Sequence, residues 1–475
     1  MGHQRTLVVG AVYTSKSAHS TLDLSNVTGS LTATVRHCID RHPILSSVIV
    51  GGDGEVPEFA TPKKLDLPKH VQIRHRDESL AEDSLLENLL AEVSDEQFSS
   101  VDSTPPWKLV LMSLPPGQGS AKRLLALFAY YHSHGDGKSG LAFHQTFFEG
   151  LNQNTTPDRV AHDEACDPCL KPLPPPIEQA GKLSLSWSYL LSPLIGAYMP
   201  SFLASMLGFR ASWIAQGGDV WRGKDLTFDP NDFQTGFAML TMDHDTVCNV
   251  LRQCKARQTT FTGLLNHLIA RSISKNVSAG AFASQIVIDL RHLFNGAYAN
   301  DAMANSVSAY NETVLRTVAE SAQDWTDPAS DIWAAARKTS AGLVEASSTL
   351  HNQPIGLLQY LKDFRPWTLG QIGKPRECSY EISNLVVFDP SKGGHAETSQ
   401  GAITIEKTIF SQPANAAGGC LNFNLVSTKG GPLVMTVTWQ RGVLGLRQDG
   451  DEDEFVREIC SRIEGLLTEL SAAPL

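Results

Sequence analysis

The chain is organised around one polar turn, which reads Tyr130-Tyr131-His132-Ser133-His134-Gly135-Asp136-Gly137-Lys138-Ser139-Gly140. The apolar run before it, residues 124–131, is short and uncharged, which predicts a buried strand. After it, Leu141, Phe143, Phe147 and Leu151 recur at roughly helical spacing, which predicts a helix that packs back on that strand. A strand-to-helix turn with two histidines, an aspartate and three glycines predicts a loop that presents polar groups.

The polar residues of this turn support three interpretations. A histidine can accept or donate a proton near neutral pH, so His132 or His134 could serve as a general base. Alternatively, His132-x-His134-x-Asp136 resembles the zinc-binding loop of metallo-β-lactamase-type hydrolases. In that family the residue after the aspartate is normally another ligand, whereas Gly137 cannot ligate a metal. The third interpretation is a plain turn, in which Gly135 and Gly137 only ease the backbone.

Length and composition narrow the class of protein. A chain of 475 residues exceeds what one hydrophobic core usually serves, so we expect two domains. The hydrophobic fraction of 42% and the charged fraction of 19% are those of an ordinary globular protein. A net charge of −11 argues against a nucleic-acid partner.

Cysteine usage and the N-terminus predict a cytoplasmic location. The eight cysteines are scattered, which suits reduced thiols, and Cys166-Asp-Pro-Cys169 has no matching second pair for a zinc site. Thr6 to Val12 is too short an apolar run for a signal peptide, and no cleavage pattern follows it.

Apolar periodicity predicts further elements in the first half. The predicted strands and helices are a strand over 7–12, a helix carrying Leu31, Val35 and Ile39 that ends at Pro43, a strand over 44–50, a helix over 80–98 and strands over 107–114 and 124–131. Residues 152–180 are rich in proline and predict a linker.

The segment 183–209 contains no charged residue. Pro193 and Pro200 argue against a straight membrane span, which leaves a kinked helix pair, a membrane-surface segment or a lid over an apolar substrate tunnel. We therefore expect an N-terminal domain at 1–180, an apolar crossover at 181–225 and a C-terminal domain at 226–475.

The second half combines helices with a strand-rich end. The predicted elements are helices over 244–258 and 260–276, a strand over 285–291, a polar Ala-rich helical region, strands over 379–388, 403–410, 420–428 and 433–439, and a closing helix from the acidic residues 449–454 to about Leu470.

Five short motifs occur in a fixed order along the chain. They are Arg41-His42-Pro43, His132-x-x-x-Asp136-Gly137, Ile288-Asp289-Leu290-Arg291, Glu381-Ile-Ser383-Asn384-Leu385 and Phe410-Ser411-Gln412-Pro413. Together they resemble the chloramphenicol-acetyltransferase-like acyltransferase superfamily and are most similar to its fungal alcohol acetyltransferases. The metallo-hydrolase interpretation predicts none of the other four. The plant-type Asp-Phe-Gly-Trp-Gly motif is absent, and Tyr131-His132 stands where a doubled histidine is common.

This resemblance implies an α/β fold of two similar mixed-sheet domains with an active-site channel between them. His132 would be the general base, and Gly137 would supply an oxyanion-binding N–H. Asp136 would form a bidentate pair with Arg291 that fixes the loop. Ser383 or Asn384 would approach the oxyanion from the C-terminal domain, and His134 would hydrogen-bond within the loop or line the channel. The mechanism needs no metal and no tightly bound cofactor, and the residues that bind CoA are not identified.

The predicted function is acyl transfer from acyl-CoA, most simply acetyl-CoA, to the hydroxyl group of a small molecule, such as a secondary metabolite. The alternatives are an N-acyltransferase, a carrier-protein-dependent condensation enzyme and a non-catalytic binding protein; a zinc hydrolase is disfavoured. We expect a cytoplasmic monomer, with weak association of 183–209 with a membrane surface as a further hypothesis.

Overall fold

The computed structural model describes residues 5–15, 22, 24, 30–52, 54, 56–117, 121–153, 165–191, 219–299, 301–320, 331–361, 363–393, 403–446 and 451–474. Two predicted segments therefore lie partly outside the described residues. These are residues 154–164 of the predicted linker and residues 192–209 of the uncharged segment.

The described chain alternates strands and helices. The strands are β1 (Thr6–Ser15), β2 (Val48–Val50), β3 (Glu58–Ala60), β4 (Leu65–Asp66), β5 (Val71–Arg74), β6 (Trp107–Leu114), β7 (Lys122–Tyr131), β8 (Ala165–Cys166), β9 (Val220–Trp221), β10 (Thr235–Met242), β11 (Ala281–Asp289), β12 (Val307–Leu315), β13 (Tyr380–Phe388), β14 (Thr404–Ser411), β15 (Leu421–Thr428) and β16 (Leu433–Gln440). The α-helices with both ends described are α1 (Ser30–Arg41), α2 (Glu82–Asp95), α3 (Gly137–Gln153), α4 (Ile177–Ala180), α5 (His244–Ala256), α6 (Phe261–Ser274), α7 (Arg316–Glu320), α8 (Asp331–Ser347), α9 (Phe364–Leu369) and α10 (Glu452–Ala472).

Two mixed sheets carry the fold. The first has five strands in the order β14-β1-β7-β6-β5, with β5 parallel to β6 and the other pairs antiparallel. The second has seven strands, in which β9 and β13 run parallel to β11 and β15 runs parallel to β13. Its remaining pairs are antiparallel. The predicted mixed-sheet α/β class is confirmed.

Strand β14 crosses from the second half of the chain to the first sheet. It pairs with β1 in antiparallel register, from Val8 opposite Ser411 to Thr14 opposite Thr404. The first sheet is thus completed by residues far from its other strands in sequence. The predicted division at residues 180 and 226 stays a prediction.

The central strands and helices of the first half match their predictions closely. Strand β6 has the predicted ends, and α2 buries the predicted apolar residues Leu85, Leu86, Leu89, Leu90 and Val93. Two other predictions were wrong. Residues Pro43–Ser46 form a 3₁₀ turn, so the strand that follows is only β2. The predicted linker is partly packed, because β8 pairs with β4 and the N–H of Cys169 donates to Ser46 Oγ at 2.8 Å.

In the second half, the closing helix and the last three strands agree with prediction to within a few residues. The sequence reasoning missed β10 and β12. Strand β12 reads Val-Ser-Ala-Tyr-Asn-Glu-Thr-Val-Leu and, among the described strands, pairs with β11 alone, at the edge of the sheet. An edge strand with this many polar residues lacks the apolar run that identifies a buried strand.

A polar seam holds β14 against the second sheet. Thr436 Oγ1 donates to the backbone oxygen of Phe410 at 2.8 Å, and Thr438 Oγ1 donates to that of Gln412 at 3.0 Å. Both threonines are fully buried. Because a buried carbonyl without a partner is costly, these hydroxyl groups specify how the crossing strand lies on the sheet. Among the described residues, no helix is long and apolar enough to span a bilayer.

Candidate active site

The polar turn lies between β7 and α3. Residues His132–His134 form one 3₁₀ turn, and α3 begins at Gly137. Tyr130 Oη donates to the backbone oxygen of Asp136 at 2.6 Å. At Gly135, which has φ 155°, a Cβ atom would lie 2.5 Å from Ser139 Oγ, so a larger residue would disturb the start of the helix.

The His132 ring is held from one side. Asn305 Nδ2 lies 3.1 Å from His132 Nδ1 and 3.4 Å from the His132 backbone oxygen, which itself hydrogen-bonds the ring. His132 Nε2 has no hydrogen bond to a described residue. Burial lowers the pKa of His132 below 6.5, although its own carbonyl and Asp136 act in the opposite direction. The half-buried ring is therefore neutral at pH 7, with Nε2 available to accept a proton.

Asp136 points away from His132 and is buried. Its Oδ1 accepts from Arg291 Nη2 at 2.7 Å and from the N–H of Ser139 at 3.2 Å. Its Oδ2 accepts from the N–H of Ser306 at 3.1 Å. This carboxylate thus ties the turn to Arg291 and Ser306, which both lie in the connection between β11 and β12.

Arg291 contacts Asp136, but the predicted bidentate geometry is wrong. Only Nη2 contacts Asp136, and it also donates to the backbone oxygen of Ala304 at 2.7 Å. Nη1 donates to Asp289 Oδ1 at 3.1 Å. Lys138 Nζ lies 2.8 Å from Asp289 Oδ2. Burial alone would raise the pKa of Asp289, but Arg291 and Lys138 hold it below its usual value. The guanidinium therefore links two carboxylates and a carbonyl.

The His134 ring is held by contacts with neighbouring residues of the protein. Its Nε2 lies 2.9 Å from the backbone oxygen of Ser47, its Nδ1 lies 3.1 Å from Ser133 Oγ, and the ring meets Phe59 edge-on. Burial lowers the pKa of His134 to about 4, so the ring stays neutral. Both ring nitrogens of His134 are thus engaged within the protein, where an alternate-histidine zinc site would need one of them as a ligand. The described part of the chain contains no cluster of three or more His, Cys, Asp or Glu residues that could hold a metal ion.

Gly137 is the point at which the second half of the chain contacts the turn. A Cβ atom there would lie 2.6 Å from Leu385 Cδ2 on β13 and 3.0 Å from Phe410 Cζ on β14. The glycine therefore permits a close approach of both strands, in addition to starting α3. Its N–H is in the first turn of a helix, where no intrahelical acceptor exists.

Ser383 and Asn384 point to opposite faces of β13, because successive side chains alternate along a strand. Asn384 Nδ2 donates to Thr262 Oγ1 at 3.0 Å, and Asn384 Oδ1 accepts from the N–H of Val386 at 2.8 Å. Its polar groups are thus used within the second half. The buried Ser383 hydroxyl has no hydrogen bond to a described residue. Ser383 lies on the strand face of Leu385, toward the His132 turn.

A narrow pocket adjoins His132 where the two halves meet. Its lining residues are Leu7, His132, Glu381, Gln412, Pro413, Ala414, Asn415 and Asn422. Sequence reasoning did not assign a role to Asn305, Glu381 or Asn422. Glu381 and Gln412 lay inside quoted motifs. Asn305 reaches His132 from the loop before β12, and Asn422 reaches the pocket through the strand pairing of β15, neither of which a local pattern reveals.

The two-sheet architecture defines the class of protein. The structure of TRI3 trichothecene 15-O-acetyltransferase from Fusarium sporotrichioides superposes with a TM-score of 0.67 at 15% sequence identity, covering 98% of this chain and 91% of that one. The condensation domain of the monacolin K polyketide synthase MokA superposes with a TM-score of 0.57 at 13% identity, covering 99% and 92%. The fold is therefore the chloramphenicol-acetyltransferase-like fold that the motifs predicted.

The sequence matches the alcohol acetyltransferase family over residues 74–462, and the chain belongs to that family. It is 24% identical to the probable alcohol acetyltransferase FCK4 of Fusarium pseudograminearum over 436 residues, which are 86% of this chain and 82% of the relative. It is 21% identical to the probable alcohol acetyltransferase crmB of Aspergillus fumigatus over 460 residues, which are 93% and 91% of the two chains. The predicted acyltransferase class is confirmed.

Alanine substitutions at two helical glycines, Gly137 and Gly465, test the close approach of β13 and β14 to Gly137. Gly137→Ala should lower the free energy of unfolding by about 1–3 kcal/mol, because the methyl group overlaps Leu385 and Phe410. Gly465→Ala on α10 is the matched control, since no atom lies within 4 Å of its Cβ position. It should raise stability by about 0.4–1 kcal/mol. Urea denaturation measures both, and equal gains in the two variants would contradict the described contact.

Proposed function

We propose that the protein transfers an acetyl group from acetyl-CoA to a hydroxyl group of a small-molecule alcohol, with His132 as general base. The observation that carries the proposal is the His132 ring, which is held at Nδ1 and has Nε2 free beside a pocket between the two halves. The family match and the alcohol acetyltransferase relatives support a hydroxyl acceptor over an amine. TRI3, which has the same fold, is a trichothecene 15-O-acetyltransferase, and this supports a fungal secondary metabolite as acceptor.

The reaction requires one proton to move twice. His132 Nε2 accepts the proton of the alcohol as its oxygen attacks the thioester carbonyl. The tetrahedral oxyanion that results is stabilised by nearby donors, for which the Ser383 hydroxyl and the N–H of Gly137 are the candidates. When the carbon–sulfur bond breaks, the imidazolium returns its proton to the CoA thiolate. The ester and free CoA are the products, and no covalent enzyme intermediate forms.

The remaining predicted residues position this machinery. Asn305 orients the His132 ring from the Nδ1 side, so that Nε2 faces the pocket. The base needs the tautomer in which Nδ1 carries the hydrogen atom and Nε2 is free to accept one. If the Asn305 amide is turned so that its oxygen takes the place of its nitrogen, that oxygen accepts from Nδ1–H at the same contact distance and fixes this tautomer. Asp136 and Arg291 hold the turn through contacts that do not involve substrate.

The direct test is acetyl transfer itself. Purified protein is mixed with acetyl-CoA and a panel of alcohols and amines, and release of the CoA thiol is followed with a thiol reagent. Thiol release that depends on an alcohol, with the acetyl ester identified by mass spectrometry, is the expected result. Release that depends on amines alone would replace O-acylation with N-acylation.

The roles of the two histidines predict different losses of activity. His132→Ala should reduce kcat by about 10²–10⁴-fold with little change in acetyl-CoA affinity, because general-base catalysis is lost. His134→Ala is the control in the same turn, and it should cost much less, because it removes a hydrogen bond worth roughly 0.5–1.5 kcal/mol. Steady-state kinetics decides between them. An active His132→Ala protein beside an inactive His134→Ala protein would reverse the assignment.

The pH dependence of kcat/KM follows from the state of His132. Only the neutral ring can accept a proton, so activity should fall as the pH drops through the pKa of His132. Because burial lowers that pKa, the midpoint of the acidic limb should lie below 6.5. Intrinsic fluorescence recorded over the same pH range separates this limb from unfolding. A midpoint above 6.5 in a folded protein would contradict the assignment.

We also propose that the enzyme acts as a monomer and associates weakly with membrane surfaces through the segment 183–209. In the described part of that segment, Trp187 is 77% exposed and Leu191 is 41% exposed, which supports a surface role. Trp187→Ser should reduce co-sedimentation with phosphatidylcholine vesicles, whereas Trp367→Ser, at another exposed tryptophan, should not. Equal co-sedimentation of the wild-type protein and both variants would contradict the proposed membrane association.

A further inference from the structure

The pocket beside His132 has a polar wall. Four of its lining residues, Glu381, Gln412, Asn415 and Asn422, carry polar side chains from the second half of the chain. An apolar tunnel would need none of them. Their hydrogen bonds therefore indicate which polar atoms are already satisfied and which remain available to a substrate.

The hydrogen-bond network orients Asn422. On neighbouring strands, Asn422 is the register partner of Glu381 on one side and of Thr438 on the other. Asn422 Nδ2 donates to the backbone oxygen of Pro413 and to Thr438 Oγ1, each at 3.4 Å. The Thr438 hydroxyl already donates to the backbone oxygen of Gln412. Thr438 therefore cannot also donate to Asn422, and the amide cannot be reversed without losing contacts.

This orientation leaves the side-chain oxygen of Asn422 without a partner. The residue is 1% exposed, and Oδ1 is a buried acceptor with no hydrogen bond to any residue that the structure describes. Such an atom costs free energy unless a ligand or water supplies a donor. Asn424, two residues along the same strand face, is different. Its Oδ1 accepts from Gln412 Nε2 at 3.0 Å, and its Nδ2 donates to Thr436 Oγ1 at 3.3 Å.

Glu381 supplies the adjoining polar group. Its Oε1 accepts from the N–H of Gly419 at 2.9 Å and from Asn415 Nδ2 at 3.3 Å. Its other carboxyl oxygen has no hydrogen bond to a described residue. Burial raises the pKa of Glu381. Asn422 and Glu381 thus place two unpaired oxygen atoms on one side of the pocket that contains His132.

We propose that Asn422 and Glu381 form a subsite that binds a hydrogen-bond-donating group of the substrate, next to the atom that reacts at His132. Asn422 Oδ1 accepts from that group, which is a second hydroxyl of the acceptor or an amide N–H of the acyl-CoA arm. The inference rests on the proposed acetyl transfer and adds a substrate class to it. A site built to hydrogen-bond a hydroxyl discriminates against the analogue that lacks it, because its buried acceptor is then unpaired.

The test compares two alcohols that differ by one hydroxyl group, cis-1,2-cyclohexanediol and cyclohexanol, with acetyl-CoA as donor. The ratio of their kcat/KM values should favour the diol in the wild-type enzyme and fall about fivefold in Asn422→Leu, the loss expected for one neutral hydrogen bond. Asn424→Leu, the matched control on the same strand face, should lower stability without changing the ratio.

The KM for acetyl-CoA, measured in the same experiment, shows which molecule supplies the donor group. If Asn422→Leu leaves the alcohol ratio unchanged but raises KM for acetyl-CoA about fivefold with both alcohols, the subsite holds an amide of the acyl-CoA arm. An unchanged ratio together with an unchanged KM overturns the subsite.

Thermal shift separates this inference from the proposed function. If no alcohol is acetylated, the proposed function fails, but ligand binding can still be measured. The diol and acetyl-CoA are each tested against the wild-type protein and Asn422→Leu. A smaller Tm increase in the variant with either ligand supports the subsite, whereas equal increases with both ligands overturn it.

Discussion

The ion pair between Arg291 and Asp136 joins the two halves of the chain at the turn that carries His132. Arg291 Nη2 lies 2.7 Å from Asp136 Oδ1, and both side chains are largely buried. Removing one partner of such a pair leaves an uncompensated charge, which typically costs about 3–5 kcal/mol. The same guanidinium binds Asp289 and the carbonyl of Ala304, the residue before Asn305. The pair therefore positions both the His132 turn and the side chain that orients the His132 ring.

A second constraint comes from the strand that changes sheets. Because β14 hydrogen-bonds to β1, its position on the second sheet depends on side chains, and Thr436 and Thr438 supply the donors. The same strand brings Phe410 against Gly137 and leads into Gln412 and Pro413 at the pocket. The polar residues buried in the core of the second sheet therefore have two roles. Some hydrogen-bond to the segment that crosses between the sheets, and others line the pocket.

Prediction from sequence succeeded where the signal is local. Strand β6 and helix α2 are defined by apolar patterns within their own residues, and the strand, turn and helix around His132 follow from the pattern of residues 124–151. It failed where the signal depends on distant partners. The edge strand β12 has no apolar run, and the alternation along β13 could not show that Ser383, and not Asn384, faces the turn.

The pairing of Arg291 with Asp136 was foreseen through family resemblance, but its geometry was not. The guanidinium is shared with Asp289, the residue that also pairs with Lys138, and this sharing depends on where β11 ends. Asn305 and Asn422 reach the pocket through loop and strand register, which a single sequence does not encode in any short pattern. The residues that surround His132 were therefore harder to predict than His132 itself, which we propose as the base.

A double-mutant cycle on the ion pair tests the central claim most directly. The free energies of unfolding of the wild-type protein, Asp136→Asn, Arg291→Met and the double variant are measured by urea denaturation, together with kcat for acetyl transfer. Our account predicts a coupling energy of about 1–3 kcal/mol, with kcat falling in both single variants. Additive effects on stability within about 0.5 kcal/mol, with kcat unchanged, would contradict it.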